Sequence, residues 1–169
     1  NVQQVSENFG FNLPADKLLN RMIVGFDNVS MPEVVSAYST FPRGGSRITA
    51  RHYILEIRDI DGKIVYPLGG NGPVLETKEV CSDAAAFQVH SVLNDVMRNG
   101  NLAESAKGLK SGLLLGGGKT GTPYGLTDSW MVGYNSRITC AVWVGFYEGG
   151  REAIHETAFA KNVAYPIWE

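Results

Sequence analysis

The residues whose types could do chemistry stand closest together between Gly116 and Thr122, where three glycines precede Lys119, Thr120, Gly121 and Thr122. Lysine supplies a compact positive charge, and threonine hydroxyls hydrogen-bond carboxylates. Glycine removes side chains where a ligand or another backbone approaches a strand closely. The stretch therefore predicts the edge strand of a sheet that binds a carboxylate ligand.

Two other interpretations fit the same letters. Residues 118–120 match the end of the phosphate-binding pattern Gly-x-x-x-x-Gly-Lys-[Ser/Thr], but Leu113 occupies the place of its first glycine. A phosphate-binding loop also opens a helix, whereas the Thr-Pro-Tyr-Gly turn at 122–125 and apolar strands follow here. The plainest alternative is a glycine-rich turn before a strand that carries a solvated lysine.

The bulk composition is that of one ordinary globular domain. The 169 residues are 44% hydrophobic and 19% charged, with a net charge of −2. No run of Lys and Arg forms a basic stripe, so we expect no nucleic-acid partner. No stretch of 18 apolar residues is present, so we expect that the chain does not itself span a membrane. Because it begins at Asn1 inside a helical pattern, we expect it to be a fragment.

The cysteines and histidines do not indicate a metal site. Cys81 and Cys140 lack metal-ligand spacing, and Cys140 falls in an apolar strand pattern typical of a buried residue. A disulfide between the two cysteines stays open as an alternative. His52, His90 and His155 occur singly, which favours surface or structural histidines. We therefore expect neither a metal nor another cofactor.

The elements before the motif follow from periodicity and capping signals. The sequence first predicts an interrupted helix over residues 1–24 and a helix that starts at Ser30 with a capping box to Glu33. A hairpin over 46–66 follows, with its turn at Asp61-Gly62. A loop over 67–80 then leads to a long helix from Ser82 to Asn99.

After the motif we expect two strands, at about 128–135 and 138–147, and a final helix from about Glu152 to Tyr165. Residues 138–144 are apolar almost throughout, so their strand should be covered on both faces. The predicted fold class is α/β of the α+β type, an antiparallel sheet with packed helices in which the Lys119 strand lies at the edge.

Several stretches, taken in their order along the chain, indicate one and the same protein family. Residues 29–45 end in a Gly-Gly turn, 51–66 contain the Asp-Gly hairpin, and 118–122 are followed by Asp-Ser-Trp-Met-Val-Gly-Tyr at 128–134. Val-Trp-Val-Gly at 142–145 and Ala-Tyr-Pro-Ile-Trp at 164–168 come next. Together they resemble the C-terminal half of the transpeptidase domain of class A, bifunctional penicillin-binding proteins. Lys-Thr-Gly is one of the signature motifs of these proteins and of the serine β-lactamases.

The chain departs from the family at its other two motifs. The family's nucleophile lies in a Ser-x-x-Lys motif, and no serine here has a lysine three residues later. Residues 6–8, Ser-Glu-Asn, fit the second motif, Ser-x-Asn, but lie in a helical pattern, and we interpret them as a coincidence. The resemblance therefore implies that residues 1–169 are the C-terminal part of a transpeptidase domain, lacking the nucleophile segment. Their partner would be the missing N-terminal part of the same domain.

The resemblance also implies an activity, peptidoglycan D,D-transpeptidation through a serine acyl-enzyme. By position, Lys119 would raise the positive potential near the substrate carboxylate, and the Thr120 and Thr122 hydroxyls would bind that carboxylate or the one on a β-lactam antibiotic. The Thr122 N–H would be one of two oxyanion-hole donors. Gly121 would let the stem peptide pair alongside as an added strand. The predicted catalytic residues are thus Lys119 and Thr122, and the isolated chain should be inactive.

The family's setting is implied in the same way. We expect an extracytoplasmic location, periplasmic or at the outer face of the bacterial membrane, with membrane contact only through the parent's anchor. A glycosyltransferase domain in the parent is a further expectation. A non-catalytic module that binds peptidoglycan or a divisome partner stays open as an alternative. An upstream Ser-x-x-Lys helix would favour the enzyme, and a native start near Asn1 would favour the module.

Overall fold

The structure is a computed structural model that describes residues 2–11, 28–67, 72–109, 115–147 and 152–169. The second part of the predicted N-terminal helical pattern, at 13–24, lies outside these ranges. None of the described helices is long and apolar enough to cross a bilayer. The helices are α1 (Val2–Asn8), α2 (Met31–Tyr38), α3 (Asp83–Arg98) and α4 (Ala164–Trp168), and the strands are β1 (Ser46–Ile48), β2 (Ile57–Arg58), β3 (Ile64–Tyr66), β4 (Thr77–Glu79), β5 (Gly117–Gly121), β6 (Asp128–Tyr134) and β7 (Thr139–Gly145).

The largest described sheet is antiparallel and contains β5, β6 and β7 in that order. Lys119 lies opposite Val132, which in turn lies opposite Ala141. The three adjacent strands, and the edge position of the Lys119 strand, are therefore confirmed. Two small antiparallel pairs, β1 with β4 and β2 with β3, complete the described strands. The predicted α+β class is also confirmed.

The main core forms where α3 and α4 pack against this sheet. Met131 of β6 and Tyr165 of α4 are 0% and 1% exposed. Burying a side chain of this kind contributes about 1.5–3 kcal/mol, so the cluster holds the two helices on the sheet. The cluster consists of Met97, Leu102, Ala106, Leu109, Met131, Ala164 and Tyr165.

The glycines at the start of β5 allow close packing inside the protein. A Cβ on Gly117 would lie 2.9 Å from the Leu93 Cβ of α3, and one on Gly118 would lie 2.8 Å from the Met97 sulfur. Both distances are shorter than real side chains tolerate, so glycine lets α3 pack directly against β5. The approach of a ligand, which we expected to require glycine here, is not needed to explain these two positions.

The two predicted helix starts are confirmed by their caps. The Glu33 N–H donates to Ser30 Oγ at 3.4 Å, and the Ser30 N–H donates to Glu33 Oε2 at 2.8 Å. This is the predicted capping box, which satisfies amides that have no partner inside the helix. At α3 the Ala85 N–H donates to Ser82 Oγ at 3.3 Å.

The predicted hairpin over 46–66 is correct only around its turn. β2 and β3 pair there, and Gly62 adopts a φ of +80°. Residues 52–55 lie in no strand, and Ile48 belongs to β1. β1 pairs with β4, which falls inside the stretch 67–80 that we predicted as loop. The polar sequence of β4, Thr-Lys-Glu, carries no strand pattern of its own, so only its distant partner defines it.

The predicted helix from Glu152 to Tyr165 is wrong, because only Ala164–Trp168 is helical. Two backbone amides in the preceding segment donate to remote acceptors instead. The Ile154 N–H donates to the Leu126 carbonyl at 2.9 Å, and the Ala160 N–H donates to Thr122 Oγ1 at 3.0 Å. These tertiary hydrogen bonds replace the helical ones, so the apolar spacing does not produce a helix.

Strand β7 is less covered than predicted. Its residues are half-buried except Cys140, which is exposed, whereas we expected cover on both faces and a buried Cys140. Cys81 and Cys140 are both free thiols, so the alternative disulfide is not formed. In the described part of the chain no strand pairs with the outer edge of β7.

Candidate functional site

Strand β5 and the residue after it present the predicted site residues at the edge of the sheet. Lys119 and Thr122 are exposed, and Thr120 and Gly121 are half-buried. Among the described residues β5 pairs only with β6, so its other edge is open. An extended peptide could add to such an edge as a further strand. The four predicted site residues, which are consecutive in the sequence, therefore lie at this edge.

The Lys119 ammonium bends over the edge of its own strand. Side chains alternate along a strand, so Thr120 and Thr122 share one face while Lys119 starts on the other. Lys119 Nζ nevertheless donates to the Thr120 carbonyl oxygen at 2.8 Å. This hydrogen bond is exposed, so water competes both for the ammonium and for the carbonyl oxygen. The ammonium can therefore exchange this carbonyl for a carboxylate at little cost.

The Thr122 hydroxyl is oriented by a segment from the far end of the chain. Its Oγ1 accepts the Ala160 N–H at 3.0 Å, and Ala158 and Ala160 are 0% and 1% exposed. A hydroxyl that accepts one hydrogen bond still has its own O–H proton to donate. Thr122 is thus anchored by Ala160 and left able to donate to a ligand.

An open cleft of about 390 Å³ lies beside β5 and the segment before α4. Two of its lining side chains are cationic and none is acidic, so the cleft favours an anionic ligand. Sequence reasoning missed Asn101, Phe159, Ala160 and Lys161. No local pattern could have identified them, because two loops remote in sequence carry them. The lining residues are Asn101, Lys119, Thr120, Thr122, Phe159, Ala160 and Lys161.

The histidines do not join this cleft. His90 Nδ1 lies 3.1 Å from the Tyr134 hydroxyl, and His155 Nδ1 lies 2.9 Å from Thr157 Oγ1. Burial raises the pKa of Tyr134, so this phenol stays protonated beside His90. No group of three or more His, Cys, Asp or Glu side chains within the described ranges could hold a metal ion.

The Ser-Glu-Asn stretch at 6–8 lies in α1, as its helical pattern predicts.

The fold that presents this edge strand is that of a penicillin-binding protein. The structure matches the crystal structure of penicillin-binding protein 1A from Haemophilus influenzae with a TM-score of 0.78. The match covers 96% of this chain and 28% of that chain, at 22% sequence identity. At this identity the likeness shows the fold alone. No protein-family model matches the chain.

Sequence relatives point to one kind of penicillin-binding protein. The chain is 30% identical over 175 residues to penicillin-binding protein 1A of Neisseria gonorrhoeae and 28% identical over 185 residues to that of Rickettsia bellii. Each match covers 99% of this chain but only 20% and 22% of the relative. The chain belongs to the penicillin-binding transpeptidase family and spans about a fifth of these relatives' length. The resemblance seen in the sequence is confirmed.

Proposed function

We propose that this chain is the carboxylate-binding, C-terminal part of a peptidoglycan D,D-transpeptidase domain whose nucleophilic serine lies outside residues 1–169. One observation carries the proposal. The open edge of β5 presents Lys119, Thr120 and Thr122 at a cleft that has two lysines and no acidic lining residue. A peptide with a terminal carboxylate fits both features, because its backbone can pair with the edge and its charge suits the cleft.

In this proposal each site residue contacts either the substrate's carboxylate or its scissile carbonyl. The Lys119 ammonium leaves the Thr120 carbonyl and turns to the carboxylate, which the Thr120 and Thr122 hydroxyls also bind. The Thr122 N–H donates to the oxygen of the D-Ala carbonyl as negative charge develops on it. One such donor contributes about 3 kcal/mol to transition-state stabilisation.

The proposed reaction is an acyl transfer in two steps. The serine of the missing segment attacks the penultimate D-Ala carbonyl, its proton leaves to a base on that segment, and the terminal D-Ala departs as the amine. An amine of a second stem peptide then attacks the acyl-enzyme, forms the cross-link and releases the serine. A β-lactam would acylate the same serine while its carboxylate occupies the place beside Thr120 and Thr122.

The setting of the parent is part of the same proposal. A peptidoglycan transpeptidase works outside the cytoplasm, so we place the parent at the periplasmic or outer face of the bacterial membrane, held by an anchor beyond this chain. A glycosyltransferase domain of the parent would accompany it. The names of the relatives support a penicillin-binding parent.

Labelling with a fluorescent penicillin tests the proposal. The full-length parent should give a labelled band that survives denaturation and disappears after preincubation with unlabelled penicillin. The isolated 169-residue chain should give none, because the serine and its lysine are absent from it. A stable band from the isolated chain would overturn the placement of the nucleophile.

The non-catalytic alternative rests on the absence of a Ser-x-x-Lys motif in these residues. It predicts that the parent is not labelled, while the chain still binds peptidoglycan reversibly in a pull-down. Labelling of the parent would exclude this alternative.

A further inference from the structure

Asn94 lies on the face of α3 that packs against the beginning of the lysine strand. Its side-chain Nδ2 donates to the Gly116 carbonyl oxygen at 2.6 Å, between residues that are 22 positions apart in the chain. The hydrogen bond is partly buried, where it is stronger than one exposed to water. Gly116 immediately precedes β5, and Lys119 follows three residues later. The function proposed above gives Asn94 no role.

The sequence of the strand explains why this contact matters for the lysine. The chain enters β5 through three consecutive glycines, and glycine accepts more backbone conformations than any other residue. The local sequence therefore does little to fix the direction in which the strand leaves Gly116. Pairing with β6 fixes residues 117–121, beginning with Gly117 opposite Tyr134. Gly116 precedes the first of these pairs, so its orientation depends on contacts from outside the strand.

The same face of α3 contacts both strands beside Asn94. Positions 90, 93, 94 and 97 share one face because they follow the i, i+3, i+4, i+7 spacing of a helix. His90 Nδ1 lies 3.1 Å from the Tyr134 hydroxyl of β6. Leu93 and Met97 are buried against the glycines of β5. On this face, which packs closely against the sheet, Asn94 supplies a polar contact to the backbone that leads into β5.

We propose that Asn94 is a positioning residue for Lys119. It fixes the Gly116 carbonyl, and through it the start of β5, so that the Lys119 ammonium stands where it can bind the ligand's carboxylate. Asn94 does not itself line the cleft. It acts over about 10 Å, since each strand residue spans about 3.3 Å. The inference rests on the proposed function, because Lys119 is the cation assigned to that carboxylate there.

A comparison of benzylpenicillin with its methyl ester, in the full-length parent, tests this inference. The ester lacks the negative charge, so the ratio of the two acylation rates measures how well the site uses the carboxylate. The wild type should be acylated faster by the acid, and Lys119→Ala should lose most of this preference. Asn94→Leu keeps the approximate size of the side chain but removes the donor. It should reduce the preference by about three- to tenfold.

A double-mutant cycle separates positioning from stability. If Asn94 acts through Lys119, adding Asn94→Leu to Lys119→Ala should change the ratio of the two rates little further. The rates are measured at a temperature at which thermal unfolding shows every variant to be folded. A loss of stability alone would lower both rates by the same factor, because it reduces the folded fraction, and would leave their ratio unchanged.

Two variants outside the proposed contact serve as controls. Asn99→Leu is the matched one, since Asn99 stands at the end of the same helix but its amide donates to Asp95 Oδ1 at 2.7 Å. Lys107→Ala controls for net charge, because Lys107 is an exposed lysine paired with Glu104 and does not line the cleft. Both should keep the wild-type ratio. Asn94→Ala is a second variant without the donor and should behave like Asn94→Leu.

The outcomes distinguish this inference from the proposed function. A wild-type ratio in Asn94→Leu or Asn94→Ala, or an undiminished further loss in the double variant, would overturn only the inference. Failure of both Asn94 variants to fold, or an equal loss in either control, would do the same. A wild type without the preference, or a preference that Lys119→Ala retains, would overturn the role that the proposed function gives to Lys119, and this inference with it. A wild-type parent that neither compound acylates would overturn the proposed function as a whole.

Discussion

The Ala160 N–H donates a 3.0 Å hydrogen bond to Oγ1 of Thr122, a residue 38 positions earlier in the chain. This contact joins the end of the lysine strand to the segment before α4. A second hydrogen bond, from the Ala164 N–H to Ser129 Oγ, fastens the same segment to β6. The Thr122 hydroxyl is therefore one of the groups that hold the second wall of the cleft against the first.

Replacing that hydroxyl should loosen the second wall. Thr122→Val keeps the side-chain shape but leaves the buried Ala160 N–H without its acceptor, which costs about 1–3 kcal/mol. Hydrogen-exchange mass spectrometry should show faster exchange over 158–163, and denaturant unfolding should show the lower stability. Thr122→Ser keeps the acceptor and should behave like the wild type. Unchanged protection in Thr122→Val would contradict the anchoring role.

Removing the strand lysine should weaken acylation of the parent. A hydrogen bond to a charged group contributes about 1.5–3 kcal/mol, so Lys119→Ala should lower the acylation rate by about ten- to a hundredfold. Lys119→Arg should also be poor, because a planar guanidinium does not replace a compact ammonium. Stopped-flow acylation by penicillin measures both rates, with Lys107→Ala as the control. An unchanged rate in Lys119→Ala would remove the role given to Lys119.

The capping box of α2 should make stability depend on pH. The Ser30 hydroxyl and then the Ser30 N–H donate to the Glu33 carboxylate, which lowers the Glu33 pKa in the folded state. A lowered folded pKa stabilises the protein above the unfolded glutamate pKa of about 4.3, and this stability is lost as the pH falls through the folded pKa.

Urea unfolding at a series of pH values from 7 to 3 checks this. Glu33→Gln should be less stable than the wild type at pH 7, and the difference should shrink as the pH falls. Glu76→Gln, an exposed position outside any helix, is the control and should track the wild type. A Glu33→Gln difference that stays constant with pH would rule out the linkage.

A buried hydroxyl in the core offers a stabilising substitution. Tyr165 is 1% exposed, and its OH has no hydrogen-bond partner among the described residues. A buried polar group without a partner costs about 1–3 kcal/mol, so Tyr165→Phe should raise the free energy of unfolding by about 1 kcal/mol or more. Tyr53→Phe, at a side chain that is 84% exposed, should change nothing. A destabilised Tyr165→Phe would show that the hydroxyl finds a partner in solution.

The outer edge of β7 should cause the isolated chain to associate. An unpaired strand edge is a template for another strand, and no described strand covers this one. We predict oligomers of the reduced isolated chain in light scattering coupled to size exclusion, and an edge covered by another segment in the parent. Cys140→Lys places a charge on β7 and should reduce association, whereas Cys140→Ser should not. A monomeric wild-type chain at high concentration would contradict this.

The sequence by itself determined the elements whose signals are local. Ser30 and Glu33 are three residues apart, so their capping box could be predicted from the sequence alone. The two strands that follow Lys119 could be predicted because each apolar run is continuous in the sequence with the turn beside it. The order and spacing of the motif and the other matching stretches between residues 29 and 168 predicted the family, which homology to proteins named penicillin-binding protein 1A then confirmed.

Only the tertiary structure decided the second wall of the cleft. Residues 152–163 have apolar residues at helical spacing, but the N–H groups of Ile154 and Ala160 find acceptors at Leu126 and Thr122, far away in the chain. A window of local sequence does not contain those acceptors, so it predicted a helix. The same reason applies to β4, whose partner is β1, and to Lys161, which lines the cleft beside β5 only because the non-helical segment folds back there.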